Sequence, residues 1–317
     1  MEQQAMPDNA LSLQTRFANL SPEKQLLLER MKQRRSRARI ETSSTISRSP
    51  ITVPLAEISL EDQDPKVLCR QAYDTVSRQL DTGPFGEFSY FLNYGYVSDL
   101  GAEFAQVRVP DQYLNRNSVK LVLELIGDFR VAGRTILDIG CGRGAIPHVL
   151  TTFFEPARVI GLDLSPVAVA FCRRTHRDTR LRFLVGDAEE LPFSANQFDA
   201  VTNLESSSCY PEVFSFYREV HRVLAPGGCF LYSDCLVPRR FDEAVKFLKE
   251  IGLRLEQDRD ITSNVLLSCD QVACARIQAY GTTSAELENF LGAPGSQYYE
   301  DMQTGRMAYR ILTFQKQ

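Results

Sequence analysis

Histidine is scarce in this chain of 317 residues, which holds three, and its eight cysteines include no C-x-x-C pair. A structural zinc site takes four such side chains at close spacing, so their scatter sets zinc aside and leaves reduced thiols as the plain reading. The strand-end loops do not pair acids with histidine at ligand spacing either, and no metal is expected. No apolar run approaches ~20 residues, which removes a membrane-spanning helix. The opening residues, MEQQAMPDNA, lack the basic-then-apolar pattern of a signal peptide, so a cytoplasmic location is expected. Neither sign of charge is in large excess: 36 basic against 40 acidic residues give a net −4, so nothing draws the chain as a whole to nucleic acid or to an anionic membrane. No internal repeat is visible. The 44% of hydrophobic residues suffices for the core of one large domain or two.

What is present is organised around residues 135–150, TILDIGCGRGAIPHVL. Thr135, Ile136 and Leu137 lead into Asp138; Gly140, Gly142 and Gly144 follow at alternate positions, and Ala145 to Leu150 reads as a helix start. The order is strand, tight turn, helix. Glycines carry no Cβ, tolerate positive φ and let the backbone pass close to a ligand, so the stretch reads as a nucleotide-type cofactor site. Gly140, Gly142 and Ala145 also satisfy the relaxed dinucleotide fingerprint, with the acid Asp163 following at roughly 20 residues' distance. Asp138 tips the balance between cofactor classes, because a carboxylate at the strand end repels a pyrophosphate and suits a cationic amino-acid ligand. LDIGCGRG closely resembles the first motif of the class I S-adenosylmethionine-dependent methyltransferases. That resemblance implies S-adenosyl-L-methionine as the cofactor.

Residues 1–65 differ in character from the rest. Leu20-Ser21-Pro22-Glu23 reads as a helix start, with Ser21 as cap and Pro22 in the first turn. Between Arg16 and Arg39 stand eight basic and two acidic residues, and a stretch rich in Ser, Thr, Pro and acid follows to Pro65. This reads as a short basic helix and a flexible tether. LSPEKQLLLERM resembles the leucine-rich segments at the ends of nonribosomal-peptide and polyketide synthetase modules, which implies docking on an assembly-line partner. Residues 66–129 read as a helical region over the acceptor, with helices at Val67 to Leu80 and at Asp111 to Ile126. Between them six aromatics fall from Phe85 to Tyr96, either core packing or a lid whose faces attract a sulfonium cation. Phe91-Leu92-Asn93-Tyr94-Gly95-Tyr96 is similar to the segment that closes over the cofactor in many small-molecule methyltransferases, which nominates Tyr94 and Tyr96.

From residue 130 to 317 strands and helices alternate, the pattern of a parallel sheet with right-handed crossovers. The second strand, Ala157 to Leu162, ends at Asp163 with Leu164 beside it; this carboxylate can accept from both ribose hydroxyls. The third, Leu181 to Val185, runs into GDAEELPF, which is close to the family segment that reads adenine and nominates Asp187 with Ala188. The fourth, Phe198 to Asn203, ends in ESSSCYP. Glu219 to Gly228 matches the E-x-x-R-V-L-x-P-G-G signature before a fifth strand at Cys229 to Ser233, with Pro and Gly forcing a turn. A helix at Asp242 to Ile251, a sixth strand at Leu253 to Asp260, a largely helical stretch from Thr262 to Leu291 and a last strand at Tyr309 to Phe314 complete the chain. The resemblance implies an α/β, Rossmann-like fold: a seven-stranded, mostly parallel sheet whose last strand enters antiparallel between the fifth and sixth.

ESSSCYP resembles the E-S-S-H-C-Y segment of O-methyltransferases from polyketide and nonribosomal-peptide pathways and of related mycobacterial lipid enzymes. In those enzymes a glutamate and a histidine sit at the acceptor; here Ser208 stands in place of the histidine. His148, His176 and His221 read as structural or solvated. Glu205 is therefore the leading base, able to act if desolvation raises its pKa, with Tyr210 and Ser208 beside it and Asp234 as a second acid. Asn203, at the end of the fourth strand, joins the cofactor set of Asp138, the three glycines, Asp163, Leu164, Asp187 and Ala188. The expected activity is O-methylation of a hydroxyl on a polyketide or peptide natural product, free or carrier-bound. A carbon or nitrogen acceptor on a lipid-like molecule and a non-catalytic cofactor-binding protein are the alternatives.

Overall fold

A computed structural model of the chain describes residues 64–82, 86–98, 107–110, 113, 115–280 and 285–317. The basic N-terminal helix and its docking segment lie outside these. The described elements in order are α1 (Pro65–Thr82), α2 (Arg116–Ile126), β1 (Thr135–Ile139), α3 (Ala145–Phe153), β2 (Arg158–Asp163), α4 (Pro166–Thr175), β3 (Leu181–Val185), β4 (Phe198–Leu204), α5 (Val213–Val223), β5 (Leu224–Leu236), α6 (Pro238–Glu250), β6 (Leu253–Asp260), α7 (Thr262–Tyr280), α8 (Ala285–Phe290), α9 (Gln297–Gln303) and β7 (Ala308–Lys316). Short 3₁₀ turns stand at Gly86–Phe88 and Ser207–Cys209.

The strands form one sheet in the order β3-β2-β1-β4-β5-β7-β6. β1 to β5 pair in parallel, and β7 is antiparallel to both β5 and β6, as the resemblance implied. Strand order reverses between β1 and β4. At that switch point the loops leaving the two strands turn to opposite faces and open a crevice at their carboxyl ends, where ligands of open α/β sheets bind. β1 is buried along Ile136 to Ile139, so its side chains are apolar on both faces except where Asp138 enters the crevice. Helices cover both sides. On one, Val119, Val122 and Ile126 of α2 pack with Ile146 and Val149 of α3; on the other, Phe216, Val220 and Val223 of α5 pack with Phe230 and Phe241. Each such side chain stabilises by ~1.5–3 kcal/mol on burial. The described residues belong to one compact unit, Leu60–Gln317.

Several boundaries differ from the sequence reading, and three of the differences have a visible cause. α2 begins at Arg116 rather than Asp111, because Asn115 takes a left-handed conformation, φ 60°, that a helix cannot continue through. The Pro226-Gly227-Gly228 turn lies within β5 as a bulge: pairing jumps from Phe198↔Leu224 to Ala200↔Cys229, so β5 starts five residues earlier than expected. α6 begins at Pro238 rather than Asp242, with the proline in its first turn, where the missing N–H costs nothing. Between α8 and β7 the chain adds α9, whose start is capped by Ser296 accepting from the Tyr299 amide.

Candidate active site

The glycine turn is fastened to the end of β2. Gly140 and Cys141 donate their amides to the Leu162 carbonyl at 2.8 and 3.0 Å, and Gly142 donates to Asp163 Oδ2 at 2.7 Å. Gly140 sits at φ 69°, and a Cβ there would lie 2.3 Å from Ser206 Oγ and 2.7 Å from the Tyr210 hydroxyl, so only glycine fits. Asp138, on β1, is 2% exposed and accepts from Thr202 Oγ1 at 2.7 Å, a contact set by the β1–β4 register. Burial pushes its carboxyl up to about 8, against the lowering effect of the Thr202 bond. Asp163 accepts a second amide, Ser165 N, at 2.8 Å, and burial raises it too. Asp138, Gly140, Gly142, Asp163 and Leu164 line one cleft; Gly144 does not. A Cβ on Gly144 would lie 2.6 Å from His176 Nε2, so its smallness serves packing beneath the turn.

The cleft continues to the end of β3. Asp187 and Ala188 line it, with Asp187 Oδ1 accepting the Glu189 amide at 2.8 Å. Lys66, from the first turn of α1, reaches across to Asp187 Oδ2 at 2.6 Å and Glu189 Oε2 at 2.5 Å. These pairs carry its ammonium well above the usual lysine range, overcoming the lowering effect of its burial.

At the end of β4 lies Glu205, which lines the cleft in a left-handed conformation, φ 52°. Its Oε1 accepts the Tyr94 amide at 3.0 Å and the Tyr309 hydroxyl at 2.5 Å. Tyr309 is buried on β7, and burial, with the Glu205 charge adding, keeps its phenol well above the usual range and therefore a donor. The second acid, Asp234, is 2% exposed; it accepts Ser207 Oγ at 2.6 Å, Ser208 N at 3.1 Å and Cys235 N at 2.8 Å. Burial pushes it up to about 6. Ser207 also meets the buried Tyr232 hydroxyl at 2.7 Å, a polar chain behind the carboxylate. Tyr94, Ser208, Phe290 and Tyr298 also line the cleft.

Some nominated residues stand elsewhere. Tyr96 is buried in the core cluster of α2 and outside the cleft lining, because the chain turns at Gly95, φ 83°, and ties Tyr96 N to the Asn117 carbonyl. Asn203 lies behind the lining, donating Nδ2 to the Ile139 carbonyl at 3.0 Å and to Ser206 Oγ at 2.7 Å; its Oδ1 has no protein partner. Tyr210 directs its hydroxyl to Ser206 Oγ at 3.0 Å, beside Gly140 rather than beside Glu205. His176 is not solvated: Nε2 donates to the Arg143 carbonyl at 2.9 Å and the ring stacks on Phe183. His148 packs on Tyr90 and Phe91, and burial pushes it down to about 4.

Three residues were missed. Arg143, inside the glycine motif, is fully buried and donates to the Ser89 carbonyl (2.7 Å), Ser77 Oγ (2.8 Å), Asp81 Oδ1 (2.9 Å) and the Gly86 carbonyl (3.0 Å), with its guanidinium 3.4 Å from the Phe171 ring centroid. It thereby pins the carboxyl half of α1 to the turn. A planar five-donor fork suits that task as a lysine would not. Lys66 and Tyr309 carried no local signal, since each acts on a partner more than a hundred residues away.

A family profile described as a methyltransferase domain matches residues 137–232, from β1 to β5. A fatty-acid O-methyltransferase of Mycolicibacterium smegmatis is 35% identical over 243 residues, 71% of this chain and 83% of that protein. The phthiotriol/phenolphthiotriol dimycocerosates methyltransferase of Mycobacterium leprae is 32% identical over 71% of this chain and 85% of that protein. The crystal structure of geranyl diphosphate C-methyltransferase from Streptomyces coelicolor, 18% identical, superposes with a TM-score of 0.62 over 81% of this chain and 99% of that one, which is a likeness of fold. With identity at this level over most of those relatives' length, and with the glycine turn and sheet order in place, the chain belongs to the S-adenosylmethionine-dependent methyltransferases.

Proposed function

We propose that the protein transfers a methyl group to a neutral hydroxyl on a largely apolar acceptor of polyketide, peptide or lipid type. The observation that carries this reading is the pair of carboxylates, Glu205 and Asp234, at the end of the cleft away from Asp187. Of the described basic side chains lining the cleft, Lys66 is held by Asp187 and Glu189, and Arg143 by Asp81; Arg70 lies one helical turn from Lys66. A carboxylate acceptor at Glu205 would meet charge of its own sign, whereas a hydroxyl meets groups that accept its proton.

The residues present fit the cofactor. Gly140 and Gly142 offer bare backbone at φ 69° and 51°, so a ligand can lie on the turn without meeting a Cβ. Asp138 would hold the amino group, Asp163 the ribose hydroxyls, and Asp187 with the Ala188 backbone the adenine; the Tyr94 ring, 8% exposed, would face the sulfonium. S-adenosylmethionine supplies an electrophilic methyl on sulfur. The chain's part is alignment, exclusion of water and removal of the acceptor proton. Glu205 is the proposed base. Tyr309 and Tyr94 N hold one of its oxygens, which fixes the plane of the carboxylate toward the acceptor and leaves the proton on the phenol of Tyr309. Ser208, where the E-S-S-H-C-Y segment that this stretch resembles has histidine, sits on Asp234 through its amide, which leaves a carboxylate in its neighbourhood.

The test is incubation with isotopically labelled S-adenosylmethionine and matched acceptors: a long-chain secondary alcohol, the corresponding fatty acid, and a hydroxylated polyketide both free and on a carrier protein. Label recovered as a methyl ether supports the reading. Label recovered only as a methyl ester, or only on carbon, overturns it.

A further inference from the structure

The cleft contains a pair of thiols that methyl transfer does not use. Cys69, on α1, and Cys209, in the 3₁₀ turn after β4, both line it, close enough for each thiol to shift the other's titration. The Tyr73 hydroxyl stands 3.6 Å from Cys209 Sγ. Both cysteines are partly exposed, whereas Cys141 and Cys172, whose thiols both donate to the Gly142 carbonyl, are sealed beneath the glycine turn. Access and proximity therefore coincide at Cys69 and Cys209.

We propose that Cys69 and Cys209 form a reversible disulfide, a peroxide-sensitive modification site that fastens α1 across the cleft. The neighbouring Cys69 thiol, joined by the Tyr73 hydroxyl, outweighs burial and brings the Cys209 thiol down to about 6, which favours its thiolate. The thiolate attacks a peroxide oxygen and displaces hydroxide, giving a sulfenic acid on Cys209. Cys69 then gives up its proton and attacks that sulfur, expelling the hydroxyl; the expelled group and the displaced hydroxide leave as water. Two thiols and hydrogen peroxide thus yield one disulfide and two waters, and a dithiol reverses the reaction by exchange.

The consequence follows from how α1 is held. Its carboxyl half is anchored by buried Arg143, but its amino half is tied to the sheet through Lys66, whose side chain is 30% exposed and whose partner Asp187 is the proposed adenine residue. Binding that displaces Lys66 from Asp187 loosens this half, and the disulfide would hold it in place. The effect on binding rests on the cofactor reading above; the cross-link does not.

The experiment treats the full chain with hydrogen peroxide, alkylates free thiols, maps peptides without reduction and titrates S-adenosylhomocysteine by calorimetry. A Cys69–Cys209 cross-linked peptide is expected, with homocysteine-adduct affinity reduced roughly tenfold because the open form is depleted, and restored by dithiothreitol. Cys69→Ser should abolish both the cross-link and the oxidative loss, each variant being compared with itself before oxidation. Cys209 appearing as a sulfinate with no link to Cys69, or the same oxidative loss in Cys69→Ser, overturns the proposal. A cross-link that forms while reduced protein binds no S-adenosylhomocysteine would sustain the modification site and overturn the cofactor assignment instead.

Discussion

The two ends of the cleft are built by different means. At the glycine end, the contacts are made by backbone and by carboxylates that stand within a few residues of a strand terminus: Gly140, Gly142, Asp138 and Asp163. At the proposed acceptor end, Glu205, just after β4, is held by Tyr94 from the segment before α2 and by Tyr309 from β7, and Asp234 from β5 is held by the 3₁₀ turn. A turn made of bare backbone suits any acceptor that shares the cofactor. An end made of side chains drawn from several elements changes with each of them, and that is where relatives with the same glycine turn can diverge in what they methylate.

If the ends are separable, a change at one should leave the other's measurement alone. The largest effect is expected for Glu205→Gln, which keeps an oxygen to accept from Tyr94 N and Tyr309 but takes up no proton. Turnover of a hydroxyl acceptor should fall by ~10²–10⁴, the usual worth of a general base. Affinity for S-adenosylhomocysteine, by calorimetry, should not move. An equal loss in both would make the two ends one unit and end the comparison.

Gly140→Ala is the converse. It adds a left-handed alanine, at about 1–2 kcal/mol, and a methyl within 2.3 Å of Ser206 Oγ. Overpacking of that kind costs about 1–3 kcal/mol more, so S-adenosylhomocysteine should bind roughly 100-fold more weakly. Saturating cofactor should recover most of the turnover number; failure to recover it would mean that the turn also positions the acceptor end through Ser206 and Tyr210.

The same division governs what could be read from the sequence. Strand, glycine turn and helix are contiguous, so their spacing is itself the geometry; β1, β3 and β6 fall where the residues placed them, and Asp163 and Asp187 line the cleft. Local rules failed where a distant contact overrides them. Tyr96 and Tyr94 look alike in an aromatic run and both pack in the core cluster of α2, yet across the positive φ of Gly95 only Tyr94 also lines the cleft. His176 follows two arginines and reads as solvated, but the Arg143 carbonyl and the Phe183 ring claim it. Arg143 itself was visible only as a letter between glycines, because its partners lie 54 to 66 residues earlier. The proline at the start of α6 is a different kind of miss: the signal was local and went unused.

A pH titration sharpens the glycine end further. Asp138 is protonated below about 8 in the free protein, because burial disfavours its charge. A cationic amino group at that carboxylate needs it ionised, so binding below pH 8 releases a proton there. Affinity for S-adenosylhomocysteine should therefore rise by about tenfold per pH unit between 6 and 7.5 and level off near 8, as linkage requires. Asp138→Asn should flatten the profile. Calorimetry in buffers of different ionisation heat measures the proton directly, and a flat profile in the unaltered protein would remove Asp138 from the cofactor's amino group.

The smallest effect tests the contact by which the amino half of α1 meets the end of β3. Lys66 occupies Asp187 Oδ2 and Glu189 Oε2, so an adenine amino group must share or displace it. Partly exposed ion pairs are worth about 0–1 kcal/mol after screening, so Lys66→Ala should strengthen S-adenosylhomocysteine binding by no more than about fivefold. Raising the salt should reproduce part of that gain in the unaltered protein and none in the variant, since salt weakens the same pair. A weaker-binding variant would reverse the assignment: Lys66 would then orient Asp187 for adenine instead of competing for it, and the amino half of α1 would belong to the cofactor end.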